Sequence, residues 1–281
     1  MLHTLALSSE GPPVEFMLIA LAIGVVYALL RDKKPAKRAL GEGMRPEHKA
    51  IMAKYAIHYQ RLDDADKQRM ERIASAFLRE KEWTGAGMPV KEEQKVMISA
   101  CAAQLLMGFP DLVLEHFERI IVYPDTYRSP KSGRMHQGEV RPQPGIIIIS
   151  WEDFVHGYAH SRDAHNVGLH ELAHALWFED MIDNDEHRFL DRGLLADWNR
   201  QATAHVSRIK RREPHFFRDY AGTNQAEFFA VAVEYFFERP DEFKKAEPDL
   251  YAALAGLLKQ DPAERQSASM HTNGREWTPL R

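Results

Sequence analysis

Residues 170 to 174 read His170-Glu171-Leu172-Ala173-His174, between the apolar runs Val167-Gly168-Leu169 and Ala175-Leu176-Trp177. On an α-helix, positions four apart lie about 40° apart around the axis and about 6 Å along it, so both imidazoles can point at one ion. Two nitrogen donors fill two corners of a tetrahedral zinc site. The glutamate between them stands to the side, where it can take a proton from water on the ion and later return it to a leaving amine. A pair of hydrogen-bonded core histidines is the bland alternative. It costs desolvation twice on adjacent turns, with an acid in between.

The chain has 14 histidines and one cysteine, Cys101. An intrachain disulfide and a cysteine-based zinc knuckle are therefore excluded. Cys101, set among Ser99, Ala100, Ala102 and Ala103, reads as a small buried hydrophobe. Lys plus Arg number 37 against 41 Asp plus Glu, a net charge of -4. No broad basic surface results, so nucleic acid is not expected as a partner. The run Arg208-Ile209-Lys210-Arg211-Arg212 reads as a solvated helix face or a membrane-surface contact. His156, His160, His165, His187, His205 and His215 lack a second ligand at metal spacing and read as solvated, with His165 a candidate for contact near the cleft.

Phe16 to Leu30 is an apolar stretch without a charge, followed by the basic segment Arg31-Asp32-Lys33-Lys34-Pro35-Ala36-Lys37-Arg38. As a helix it spans about 22 Å against a hydrocarbon core of about 30 Å, and the long stem of Arg31 extends its reach. Positive charge follows the run and none precedes it, the reverse of a secretory signal. That polarity predicts a single-pass cell-membrane protein whose later domain faces the cytoplasm. Residues 1–15 then form a short N-terminal segment, 16–31 a transmembrane anchor and 32–46 a basic linker. Beyond it, helical periodicity runs through Met70, Ile73, Ala74, Phe77 and Leu78, and again over Glu92 to Met107. Arg119 to Tyr123 and the four isoleucines from Ile146 read as strands, the second covered on both faces, and the polar segment 124–144 reads as a loop or loose hairpin. Further helices are expected near 164–180, 194–212, 224–238 and 249–259.

A catalytic zinc site needs a third protein donor. The helix predicted from Asn224 is apolar almost all round, yet two acids interrupt it, Glu227 and Glu234. Seven residues apart, they share a face to within about 20°. No Lys or Arg lies within that helix to pair with them, and an uncompensated buried carboxylate is expensive. Zinc together with histidine N–H groups would satisfy both. Glu227 can alternatively close a capping box on Asn224. Glu234 is either a hydrogen-bonded structural acid or a group that orients a ligand histidine.

Three stretches, IIIISWEDF (146–154), HNVGLHELAHAL (165–176) and DYAGTNQAEFFAVAVEYFFERPDEF (219–243), resemble the Mlc titration factor A family of zinc peptidases, also described as glucose-regulated metallopeptidases. The resemblance covers roughly residues 60 to 262. It implies His170 and His174 as zinc ligands, Glu227 as the third, Glu171 as catalytic base and Tyr220 as an active-site hydroxyl near the scissile carbonyl. A phenol there can donate to the developing oxyanion. It also implies aminopeptidase-type cleavage of small substrates and a DNA-binding repressor as a protein partner. The chain departs from the family after the histidine motif, where Ala175-Leu176-Trp177-Phe178-Glu179-Asp180 stands.

The expected protein is α+β: a mostly helical, zincin-like metallopeptidase domain with a small β-sheet over residues 47–262, one N-terminal transmembrane helix before it and a flexible tail at 263–281. It holds one Zn2+ per chain and hydrolyses peptide bonds. The alternative is a membrane-tethered binding module that sequesters a transcriptional regulator, with zinc playing a structural part.

Overall fold

The computed structural model describes residues 43–130, 132–182 and 189–264. Three helices come first: α1 (Pro46–Tyr55), α2 (Ile57–Gln60) and α3 (Asp64–Glu80). Asp63 starts α3, its Oδ1 accepting from the Asp66 N–H at 2.8 Å. Then follow β1 (Glu82–Gly85), α4 (Glu92–Leu106), β2 (Arg119–Tyr123), the short pair β3 (Tyr127–Arg128) and β4 (Met135–His136), β5 (Gly138–Arg141) and β6 (Ile146–Ser150). The remainder is helical: α5 (Trp151–Ala159), α6 (Val167–Ile182), α7 (Arg192–Lys210), a 3-10 turn at Asp219–Gly222, α8 (Gln225–Glu238), α9 (Pro240–Ala246) and α10 (Pro248–Leu258). A mostly helical α+β chain with a small sheet is what the sequence predicts.

The main sheet has the order β1-β2-β6-β5, with β1, β2 and β6 parallel and β5 antiparallel to β6. Ile146 to Ile149 are all buried. Ile147 and Ile149 join Ile120 and Val122 in the main core, while Ile146 and Ile148 pack with Tyr127 in a smaller cluster on the opposite face. The non-alternating isoleucine run is therefore covered on both sides, as expected. In segment 124–144, expected as a loop or loose hairpin, β3 and β4 form a short antiparallel pair, and the departure is β5, which joins the main sheet. β5 alternates: Gly138 and Val140 lie opposite Ile149 and Ile147, while Glu139 and Arg141 lie opposite Ile148 and Ile146. Glu139 and Arg141 pair with each other at 2.9 Å. Such a strand owes its form to the β6 ladder rather than to apolar propensity, which is why its composition conceals it.

α6 packs against α8 and α4, with the Trp177 and Phe229 rings 4.9 Å apart. The α4 contact is close because α6 carries Gly168 there. A Cβ on Gly168 would stand 2.5 Å from Phe154 Cε2 and 3.0 Å from Cys101 Sγ. Cys101 is fully buried, and burial pushes its thiol up to about 12, so it behaves as an unreactive hydrophobe.

The expected membrane location is corrected here. Among the described residues no helix is long and apolar enough to cross a membrane. The longest, α7, is amphipathic and charged, and the apolar helices α6 and α8 have only 16 and 14 residues and serve the core. Residues 16–31, on which the single-pass, cytoplasm-facing arrangement rested, lie outside the described residues.

Gly168→Ala should destabilise the fold by about 1–3 kcal/mol through overpacking, although alanine is favoured over glycine in helices by about 1 kcal/mol. Urea midpoints of the two proteins check this. A higher midpoint in the variant would mean that the Phe154 ring gives way.

Candidate metal centre

Two caps deliver the site's helices. Asn166 Oδ1 accepts from the Leu169 N–H at 3.0 Å at the start of α6, and Asn224 Oδ1 accepts from the Glu227 N–H at 3.0 Å at the start of α8. The first turn of α8 thereby faces the second turn of α6. The Glu227 carboxylate turns to the histidines: its Oε2 lies 3.1 Å from His170 Nε2 and 3.2 Å from His174 Nε2, and those two nitrogens are 3.2 Å apart. Among the described residues this is the only group of three or more His, Cys, Asp or Glu side chains placed to share a metal ion. Glu179 and Asp180 point away, to the His116 N–H at 3.0 Å and to the Phe189 and Leu190 N–H groups at 3.2 and 3.1 Å. His205, expected to be solvated, is buried and stacked on Phe228, with ring centroids 5.6 Å apart.

This donor set suits a zinc ion. Bonds of about 2.0 Å arranged tetrahedrally put donor atoms about 3.3 Å apart, close to the observed triangle. The tautomer agrees. His170 Nδ1 lies 2.7 Å from Glu234 Oε1, and a carboxylate only accepts, so Nδ1 carries a proton and Nε2 is the nitrogen whose lone pair an ion would take once it displaces the second proton. The charges also call for a cation. Although burial opposes ionisation, the two histidines hold the Glu227 carboxyl far below the usual carboxylate range. Burial likewise opposes charge on His170, but Glu234 and Glu227 outweigh it and push the imidazole up to about 10. Burial lowers His174.

Glu234 is 2 % exposed and accepts from three donors: His170 Nδ1, Arg218 Nη2 and the Asn166 N–H at 2.7 Å. It is therefore the group that orients a histidine of the site. Its cation is Arg218, which lies outside α8 in the loop before the 3-10 turn. Nothing in the spacing of His215-Phe216-Phe217-Arg218-Asp219 signals that pairing, because only folding brings residue 218 beside 234. Sequence reasoning also passed over Gly138, whose strand runs against Glu171.

Glu171 is 7 % exposed, its carboxyl packed against Gly138. Burial, reinforced by Glu227, Glu234 and Glu139 against the opposing pull of His170, pushes it up to about 8. Tyr220, half exposed, presents its ring 6.0 Å from His170. Burial and the Glu227 charge raise the phenol to about 12, so it keeps its proton at neutral pH.

Two histidines on one helical turn and a carboxylate from a second helix make up a donor set of the kind found in metal-dependent hydrolases, with a further carboxyl between the histidines. A family model described as glucose-regulated metallo-peptidase M90 matches residues 30–259, and the chain belongs to that family of metallopeptidases. An uncharacterized protein of Synechocystis sp. is 26% identical over 248 residues, covering 83% of this chain and 89% of that one. Mlc titration factor A of Salmonella agona is 26% identical over 226 residues, covering 73% and 83% respectively. The Mlc titration factor A of Pectobacterium atrosepticum is 25% identical over 225 residues, with the same coverage.

Arg218→Ala removes the guanidinium from the buried Glu234 and should cost about 3–5 kcal/mol of stability at pH 7, read from urea unfolding. The Glu234 carboxyl is lowered in the folded state, so its contribution is present above the unfolded carboxylate pKa and lost as pH falls through the folded one. The penalty of the variant should accordingly shrink below about pH 4.

Proposed function

We propose that this chain is a zinc-dependent peptidase with aminopeptidase-like action on small peptide substrates, carried by the domain of residues 47–262. What supports the reading most is the convergence of His170 Nε2, His174 Nε2 and Glu227 Oε2 within 3.1–3.2 Å of one another, with the Glu171 carboxyl alongside. These three side chains would hold one zinc ion per chain. A zinc ion held there supplies positive charge and Lewis acidity, which polarise a peptide carbonyl and draw the pKa of Glu171 back toward neutrality.

Glu171 takes the proton of the attacking water on one carboxyl oxygen and delivers it to the nitrogen of the leaving amine, returning to its starting state. A carboxyl raised by burial suits both halves of that transfer, since it is basic enough to accept and acidic enough to give back. The Tyr220 phenol, still protonated, donates a hydrogen bond to the carbonyl oxygen as negative charge builds on it. Glu234, held by Arg218, keeps the His170 ring fixed with its Nε2 lone pair inward.

A second reading is favoured by the name of the relatives. A titration factor acts by binding its target, so this chain would sequester a regulatory protein such as Mlc, with zinc holding the fold.

Glu171→Gln separates the two. The variant should keep its zinc and its fold but lose turnover of peptide p-nitroanilides by about 1000-fold, on the order of 4 kcal/mol of barrier. Undiminished turnover would sink the mechanism. Absence of turnover in both forms, with a regulator retained by both, would favour the binding reading. Glu227→Ala should weaken zinc retention against a competing chelator, and full metal occupancy at equal chelator would remove Glu227 from the ligand set.

A further inference from the structure

We infer that Gly138 is a positioning residue for Glu171: the side chain it lacks leaves the space that the Glu171 carboxyl occupies beside His170 and His174. A Cβ built on Gly138 would lie 2.4 Å from Glu171 Cγ, 2.6 Å from Cδ and 2.6 Å from Oε1. No real Cβ tolerates such distances to a neighbour, and a buried side chain has little room to withdraw. The glycine is not there for its backbone. Among the described residues the glycines with positive φ are Gly87, Gly133 and Gly145, so alanine is conformationally acceptable at 138.

The strand period explains why this position meets the site. β5 puts Gly138 opposite Ile149, and Ile149 belongs to the main core on the helix side of the sheet. Residue 138 thus points at α6, whereas Glu139 points the other way. The consequence is unusual for a carboxyl in such a place. No hydrogen bond to the described residues holds Glu171, and the wall of β5 at Gly138 is part of the packing that keeps its carboxyl in place. Moving the carboxyl by about 1 Å is enough to cost about 100-fold in rate.

The catalytic meaning of this contact rests on the peptidase reading; the contact itself does not. The test is a cycle of Gly138→Ala, Glu171→Ala and the double variant, each with its zinc content and melting temperature measured. Gly138→Ala should lower Tm by about 3–10 °C in the native background and by less than about a third of that when Glu171 is already alanine. If Gly138→Ala alone does not yield folded protein, the double variant should. Turnover of peptide p-nitroanilides by Gly138→Ala should fall about 100-fold in kcat, with KM and zinc content held. Equal losses of Tm in the two backgrounds, or an unchanged kcat, would overturn the inference. If Glu171→Gln instead keeps full turnover, the peptidase reading fails, and the Tm cycle alone decides whether Gly138 places Glu171.

Discussion

The carboxylate of Glu234 organises this centre. It lies in the second half of α8, accepts hydrogen bonds from His170, Arg218 and the Asn166 backbone, and leaves almost none of its surface to water. A charge this deep is tolerable only when its lone pairs are occupied by donors and a cation stands beside it. The donors come from two stretches of chain outside α8: the start of α6, which supplies Asn166 and His170, and the loop before the 3-10 turn, which supplies Arg218. One charge therefore fixes where three segments meet.

Glu238, one turn further along α8, completes the clamp. Its Oε2 accepts from the Ala164 N–H at 2.9 Å and its Oε1 from Asn166 Nδ2 at 3.0 Å. Ala164 has φ 57°, a left-handed conformation that costs a residue with a Cβ about 1–2 kcal/mol. Its amide is held by Glu238 and its carbonyl by the Arg218 guanidinium. The strained turn is thus gripped from both sides, and the strain is offset by bonds to the same two-acid face that orients His170. Because Asn166 also caps α6, the direction in which the His170–His174 helix leaves this turn is tied to α8 before any ion is considered.

The electrostatics follow from that geometry. Glu171, Glu227 and Glu234 surround two imidazoles, and the arginine paired within the cluster, Arg218, is bound to Glu234. Three carboxyl groups against one arginine leave an excess of negative potential around Glu171, to which Glu139 adds. That excess raises His170, resists ionisation of Glu171 and favours a cation between the three converging atoms. Under the peptidase reading proposed above, the surroundings that make the Glu171 carboxyl reluctant to ionise are also what would suit it to carry a proton.

Much of this was legible in the chain itself, because the informative features are local. The four-residue histidine spacing, the acid between the histidines, the Asn224 cap and the doubly covered isoleucine strand each depend on helix or strand period alone. Glu227 emerged as one of two acids in an otherwise apolar helix. What the linear order could not reveal was how those two acids divide the work: Glu227 reaches the histidine Nε2 atoms, while Glu234 takes a histidine Nδ1 and an arginine from outside its own helix. Nor could it reveal β5, a polar strand created by its neighbour, or the glycine in it that makes room for Glu171. Periodicity and capping are written within a few residues, so the sequence determined the helices and the donor groups they carry. Charge pairing and close approach join residues tens of positions apart, and only the packed structure decided those.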